Sequence, residues 1–282
     1  MAITKEEFDL IRQFVHEHSG ILVGDGKEYL VENRLNVILV KNKCDNFFQL
    51  YEKLKKDNGA LCVEVIDAMT TNETLWFRDT SFFAALSNFV IPTLLEKALH
   101  KPKIRIWSAA CSTGQEPYSV AMLLDQARSA MGKTAPPLDR FAILATDISP
   151  SVLSIATMGR YSQLAISRGM RPAFLERFFI NRGSYYEVAP GIHDIVTFKQ
   201  FNLKEDFKPL GSFDFILCRN VLIYFSNELK SEIYRKLYES LVRDGILSIG
   251  ASESPRGYTT VFEQVMVEGA ALYRPSTNAG LS

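Results

Sequence analysis

Phe141-Ala142-Ile143-Leu144-Ala145-Thr146-Asp147 is a near-continuous apolar run closed by an acid. A strand with one wet face alternates in polarity; this one does not, so it is expected inside a parallel sheet with both faces covered. Upstream, Ile104 to Ala109 reads as a strand and Glu116 to Met131 as a helix, followed by the loop Gly132-Lys133-Thr134-Ala135-Pro136-Pro137. Downstream come strands at Ile195 to Phe201, Phe213 to Cys218 and Gly245 to Gly250, with a helix from about Asn227 to Val242. This βαβ alternation predicts an α/β fold, a doubly wound sheet beginning near Ile104. Phe262 to Tyr273 adds a final antiparallel pair turning at Glu268-Gly269.

The chain ahead of the sheet has a different period. Thr4 and Glu7 form a capping box, and Phe8, Ile11 and Val15 recur at helical spacing up to Ser19-Gly20. A second periodic stretch runs from Lys27 to Lys43, and a third carries Phe47, Leu50, Tyr51 and Leu54 on one face. Three short amphipathic helices in a small bundle are expected, with a further helix from Asn88 to about His100. Between Arg160 and Asp194 the alternation is interrupted by turn signals around Tyr185 to Val188, which reads as an inserted β-meander. The expected division is an all-helical domain (1–70), a linker and helix contributing to the ligand site (71–103), and the α/β domain (104–282) carrying a small inserted antiparallel β-subdomain (160–194).

Lys plus Arg equals Asp plus Glu at 32 each, so no global field favours nucleic acid or an anionic membrane. The start lacks a signal-peptide core and charges interrupt the apolar runs, so a cytoplasmic protein without membrane insertion is expected. Cysteines at 44, 62, 111 and 218 form no CxxC pair and the histidines lack ligand spacing; reduced thiols and no metal are expected.

In open α/β sheets ligands bind beyond the carboxyl ends of the strands. The first strand runs into Ala110-Cys111-Ser112-Thr113-Gly114, whose small residues admit a ligand to the backbone at a helix N-terminus. G-x-G-x-x-G is absent, and Glu116 in the first helical turn disfavours a pyrophosphate and favours a cation. S-adenosylmethionine, with an ammonium and a sulfonium, meets that requirement; Glu116 serves equally as an acid balancing the helix dipole. Asp147, 33 residues beyond Gly114, stands where an acid accepts hydrogen bonds from ribose hydroxyls, or caps the next helix through Ile148-Ser149-Pro150. Asn202-Leu203 and Arg219-Asn220 follow the next two strands, and Asn220 suits either adenine contact or a structural loop bond. In Thr71 to Asp79, Arg78 can clamp a carboxylate bidentately beside Asn72 and Thr74, or pair with Glu73 or Asp79.

The segments Asn72 to Asp79, Trp107 to Ser119, Ala145 to Ser149, Asn202-Leu203, Cys218 to Phe225 and Gly250 to Glu253 occur in one order across nearly the whole chain. Together they resemble the chemotaxis-receptor glutamate methyltransferases of the CheR type. The resemblance implies a helical N-terminal domain, a Rossmann-like S-adenosylmethionine-dependent methyltransferase domain and the inserted β-subdomain. It implies that Asn72, Thr74, Arg78, Glu116, Asp147, Asn202, Leu203, Arg219 and Asn220 line the cofactor pocket, with S-adenosylhomocysteine as product. The chain departs from the usual pattern at Trp76, where Phe is usual, at Cys111, where a residue such as Ser is usual, and at Ala251, where His is frequent.

The implied reaction is esterification of glutamate side chains on the cytoplasmic domain of chemoreceptors during sensory adaptation. A glutamate with an ordinary pKa of about 4.3 is ionised at pH 7, so no catalytic base is expected. Arg78, Arg219 and Tyr224 are candidates for steering it, with core packing the alternative for Tyr224. Lys41, Lys43, Lys53, Lys55 and Lys56 offer a local basic surface for an acidic receptor segment, although nine basic and ten acidic residues in 1–60 fit a solvated face equally. The β-subdomain resembles the part that in some family members adds a strand to a receptor's C-terminal tail. A monomer is expected. Two other readings stay open: a methyltransferase of another acceptor class, and a cofactor-binding docking module of a signalling complex without turnover.

Overall fold

The computed structural model describes residues 2–57 and 59–276. Helices α1 (Lys5–Ser19), α2 (Glu28–Lys41), α3 (Phe47–Leu54) and α4 (Ala60–Met69) open the chain. The expected capping box starts α1: Thr4 Oγ1 accepts from Glu7 N–H at 3.2 Å, and the Glu7 carboxylate accepts from Thr4 N–H at 2.9 Å. Gly20, with φ 80°, closes it in the left-handed conformation. Four helices form where the sequence predicts three. α4 is apolar on most sides, which blunts its period, and its cap is remote: the Asp57 carboxylate accepts from the N–H groups of Gly59, Leu61 and Cys62. Leu61, Val65, Ile66 and Met69 pack with Phe8, Ile11, Val31, Leu35 and Leu50 in the bundle core.

The strands are β1 (Ile104–Ala109), β2 (Phe141–Asp147), β3 (Arg160–Tyr161), β4 (Phe179–Asn181), β5 (Tyr186–Val188), β6 (Val196–Gln200), β7 (Phe213–Cys218), β8 (Leu241–Ile249), β9 (Phe262–Val267) and β10 (Ala270–Pro275). The main sheet runs β6-β2-β1-β7-β8-β10-β9, parallel through β8 and antiparallel at its last two pairings. This is the expected doubly wound α/β sheet. Alternation along β7 shows why its sequence reads as continuously apolar. Phe215 and Leu217 face one core with Ile106 and Ile143, whereas Ile216 and Cys218 face the other with Trp107 and Leu247. Helix Gln115–Ala130 covers the first face and Asn227–Glu239 the second. The latter stops short of the expected Val242 because Leu241 is already paired with Phe213 in the sheet.

The helix expected from Asn88 begins at Thr80 and runs to His100. A wide π turn at Leu86–Val90, in which Ile91 N–H reaches the Leu86 carbonyl, precedes Pro92 and absorbs the amide that proline lacks. By length and composition this helix could cross a membrane, yet Phe82, Phe83, Leu86, Val90 and Leu94 are buried in the sheet core, which accounts for its apolarity.

The insert is not a meander. Its small antiparallel sheet runs β3-β5-β4, and helices Gln163–Ser167 and Pro172–Phe178 separate β3 from β4. Turn residues reveal only the local β4–β5 hairpin. The β3–β5 pairing is non-local, and Glu187 on β5 bridges Arg160 on β3 and Arg182 at 3.1 and 2.8 Å. The insert's interior is built around Trp76 from the segment ahead of the sheet. The Trp76 backbone N–H donates to the Arg168 carbonyl at 3.0 Å, its indole N–H donates to the Ala165 carbonyl at 3.1 Å, and its ring meets Tyr161 and Phe179 edge-on. Gly169, φ 97°, permits this approach, because a Cβ there would stand 2.2 Å from the Trp76 carbonyl oxygen. Gly169→Ala is therefore expected to cost about 2 kcal/mol or more, read as a fall of several degrees in the calorimetric melting temperature.

Candidate functional site

One cleft lies beyond the carboxyl ends of β1, β2 and β7, roofed by the segment Met69–Leu75 and Arg78. Its walls include all nine residues predicted to bind a cofactor, Asn72, Thr74, Arg78, Glu116, Asp147, Asn202, Leu203, Arg219 and Asn220, together with Tyr224. The backbone here is strained. Ala110, Ser112 and Asn220 in the walls, and Phe77 and Asp79 beside them, all have positive φ without being glycine. Each such residue costs on the order of 1–3 kcal/mol and persists only where its surroundings hold it.

The loop after β1 is tied on two sides. Ser112 N–H donates to Asp147 Oδ2 at 2.8 Å, and Ser112 Oγ donates to the Asn72 carbonyl at 2.8 Å. Asp147 also accepts from Ser149 N–H at 3.0 Å through Oδ1. It does not cap the next helix; Ser149 does, accepting from Val152 N–H, because the N-cap position falls two residues beyond Asp147. Asp147 lines the cleft with acceptor capacity left for a ligand. Burial pushes its carboxyl above the usual carboxylate range, against the opposing pull of the N–H groups of Ser149, Ser112 and Ile148; Asp67 nearby adds to the rise.

Arg219 sits at the centre of an ion triad. It donates to Glu116 at 2.9 Å and to Asp79, and its guanidinium lies 3.9 Å from the centre of the Phe82 ring. Glu116 accepts a second bond from Ser108 Oγ at 2.8 Å. Two carboxylates around one cation leave the cluster net negative when all are ionised. Arg219 Nε is buried and has no partner among the described residues. Asp79, which the sequence offers only as a partner for Arg78, pairs with Arg219 instead; the two lie 140 positions apart and leave no local pattern.

Arg78 pairs with neither Glu73 nor Asp79. It donates to the Glu73 backbone carbonyl at 3.2 Å, because Arg168 takes the Glu73 carboxylate and Arg219 takes that of Asp79. Asn202 has its amide committed elsewhere: Nδ2 donates to the His18 carbonyl at 2.7 Å and Oδ1 accepts from Lys204 N–H at 3.0 Å. Lys204 Nζ joins it on the last-turn carbonyls of α1. Buried Leu203 faces the cleft beside it. Asn72 donates to Thr70 Oγ1 at 2.9 Å. Tyr224 is half-buried in the cleft wall. Cys111 and Cys218 are buried free thiols, and burial pushes both well above the usual thiol range. Of the five bundle lysines, Lys41 and Lys55 are paired with Glu64 and Glu52, which neutralises part of the surface they form.

Comparison with known proteins agrees with this architecture. The family model described as CheR methyltransferase, SAM binding domain, matches residues 72–270, and that of the CheR methyltransferase all-alpha domain matches residues 6–70. Chemotaxis protein methyltransferase 1 of Pseudomonas aeruginosa is 40% identical over 97% of this chain and 99% of its own length. Chemotaxis protein methyltransferase 1 of Vibrio cholerae is 40% identical over 97% and 98%. The chemotaxis protein methyltransferase of Borreliella burgdorferi is 36% identical over 90% of each chain. A helical bundle closing the strand ends of a doubly wound sheet, matched along its length by both family models, places the chain in the CheR methyltransferase family.

Proposed function

We propose that this protein transfers the methyl group of S-adenosylmethionine to glutamate side-chain carboxylates on the cytoplasmic domain of chemoreceptors, forming methyl esters and leaving S-adenosylhomocysteine. The observation that carries the reading is the charge layout of one cleft. Glu116 and Arg219 of the net-negative triad line it, Asp79 holding Arg219 from outside the lining, and the same cleft carries an arginine, Arg78, with no carboxylate partner among the described residues. A ligand ending in an amino acid needs both signs within one site. Glu116 supplies charge for its ammonium, with Asp79 adding to the negative balance around Arg219; Arg78 holds its carboxylate, and the remaining acceptor capacity of Asp147 takes the ribose hydroxyls. The Asn220 amide suits the polar edge of adenine, with Ile148, Phe201 and Val221 in apolar contact.

When bound, S-adenosylmethionine supplies an electrophilic methyl group on sulfur. An acceptor glutamate with a pKa of about 4.3 is already ionised at pH 7, so the chain has no proton to remove. The work of its residues is to align the carboxylate and exclude water, an effect that reaches about 7–11 kcal/mol in well-oriented systems. Of the three candidates Tyr224, Arg78 and Arg219, Tyr224 is the polar group assigned to that steering, since Arg78 is engaged by the ligand's carboxylate and Arg219 by Glu116 and Asp79. The edges of the small sheet, β3 and β4, are where a receptor's C-terminal tail would add as a strand. In this reading residues 1–70 and the segment 71–103 close the site over the catalytic sheet of 104–282, and the protein acts as a cytoplasmic monomer.

Incubation with methyl-labelled S-adenosylmethionine and receptor-rich membranes tests the proposal. Label released as methanol by mild alkali is the expected result. Alkali-stable label would move the acceptor to nitrogen or carbon, and cofactor binding without transfer would favour a docking module.

A further inference from the structure

We infer that Glu253 is a positioning residue of the cofactor site, holding the loop after β7 in the shape that presents Asn220; the inference rests on the cofactor reading above. β8 ends at Ile249 and is followed by Gly250-Ala251-Ser252-Glu253. Glu253 N–H closes this turn on the Gly250 carbonyl at 2.9 Å, and its carboxylate turns back to accept Gly250 N–H at 2.7 Å. The same carboxylate then reaches across to the neighbouring strand end. Oε2 accepts from Asn220 N–H at 2.7 Å, and Oε1 accepts from Val221 N–H at 3.1 Å and Ile223 N–H at 3.3 Å.

Four backbone donors that continue no strand are thus collected by one side chain. A carboxylate offers about four acceptor sites, so all are used within the protein and none is left for a ligand. That accounts for Glu253 standing outside the cleft while the loop it holds carries Arg219, Asn220, Val221 and Tyr224 into its wall. Asn220 is the strained member, with φ 59°. Gly250 makes the clamp possible, since a Cβ there would stand 2.5 Å from Glu253 Oε2 and 2.7 Å from Asn220 Nδ2.

Glutamine at 253 has one carbonyl oxygen and an amide that itself donates, so about half of these N–H groups lose their partner and the loop relaxes away from the positive φ. For Glu253→Gln, the dissociation constant of S-adenosylhomocysteine by calorimetry is expected to rise at least about tenfold. The KM for S-adenosylmethionine should rise by more than kcat falls, because the loss is in cofactor placement. In an Asn220→Ala background the same substitution is expected to change affinity by less than about threefold, since coupled residues do not add. Gly250→Ala, which pries the clamp from its other side, should reproduce the affinity loss and decides the matter if Glu253→Gln does not fold. Wild-type affinity in Glu253→Gln, or an undiminished loss in the Asn220→Ala background, overturns the inference. Failure of the unaltered protein to bind S-adenosylhomocysteine would instead sink the cofactor reading, and the inference with it.

Discussion

Arg219→Ala is expected to be less stable than the unaltered protein by about 3–5 kcal/mol and to bind S-adenosylhomocysteine too weakly for calorimetry to detect. The Arg219 side chain is 1% exposed and lies between Glu116 and Asp79, at 16% and 30%. Removing the cation leaves two partly buried carboxylates facing each other without compensation. The penalty comes from the stranded charges more than from lost attraction. Replacing all three together, Asp79→Asn with Glu116→Gln and Arg219→Met, should recover most of the stability and none of the binding. Urea denaturation checks the first half and calorimetry the second. Unchanged stability in Arg219→Ala would mean that water already screens the triad.

Asp147→Asn separates binding from folding in the opposite sense. Two ribose hydroxyls donating to a charged acceptor are worth about 1.5–3 kcal/mol each, so affinity for S-adenosylhomocysteine should fall by about 100-fold or more. Stability without ligand should change little, because removing a buried charge offsets the loss of one of the two acceptor oxygens that hold Ser112 N–H and Ser149 N–H. The Asp147 carboxyl is pushed up by burial, so the folded protein binds this proton more tightly than the unfolded chain does. Its contribution is present below the ordinary aspartate range and is lost as pH rises through the raised value; at pH 7 the buried charge is a cost. Ligand hydroxyls favour the charged form. Affinity should therefore weaken as pH is lowered towards the raised value, and the Asn variant should lack that dependence. An Asn variant that binds like wild type removes Asp147 from the ribose contact.

What the sequence discloses follows the range of the forces involved. β2 and β7 are legible residue for residue because burial on both faces demands an unbroken apolar run. The capping box at Thr4 is legible because both partners lie within one turn. The strand-end positions of Asp147, Asn202 and Asn220 follow from the sheet, and the cleft collects them. Harder to see are contacts between distant positions, such as Arg160 with Glu187 or Arg219 with Asp79, since either partner alone reads as a surface charge. Glu253 is hidden for another reason: its partners are backbone N–H groups, which every residue but proline carries.

The last turn of α1 has a consequence for any attempt to divide the molecule. Its carbonyls at His16, Glu17 and His18 take their donors from Lys204 and Asn202, across nearly two hundred positions of chain. A fragment ending at Thr70 would expose that turn to water, and the complementary fragment would carry an amide and an ammonium with nothing to hold. The two family segments can be parted by scissors in the gene, but each half keeps the other's unfinished edge, so a split enzyme should regain shape only when both pieces share one solution.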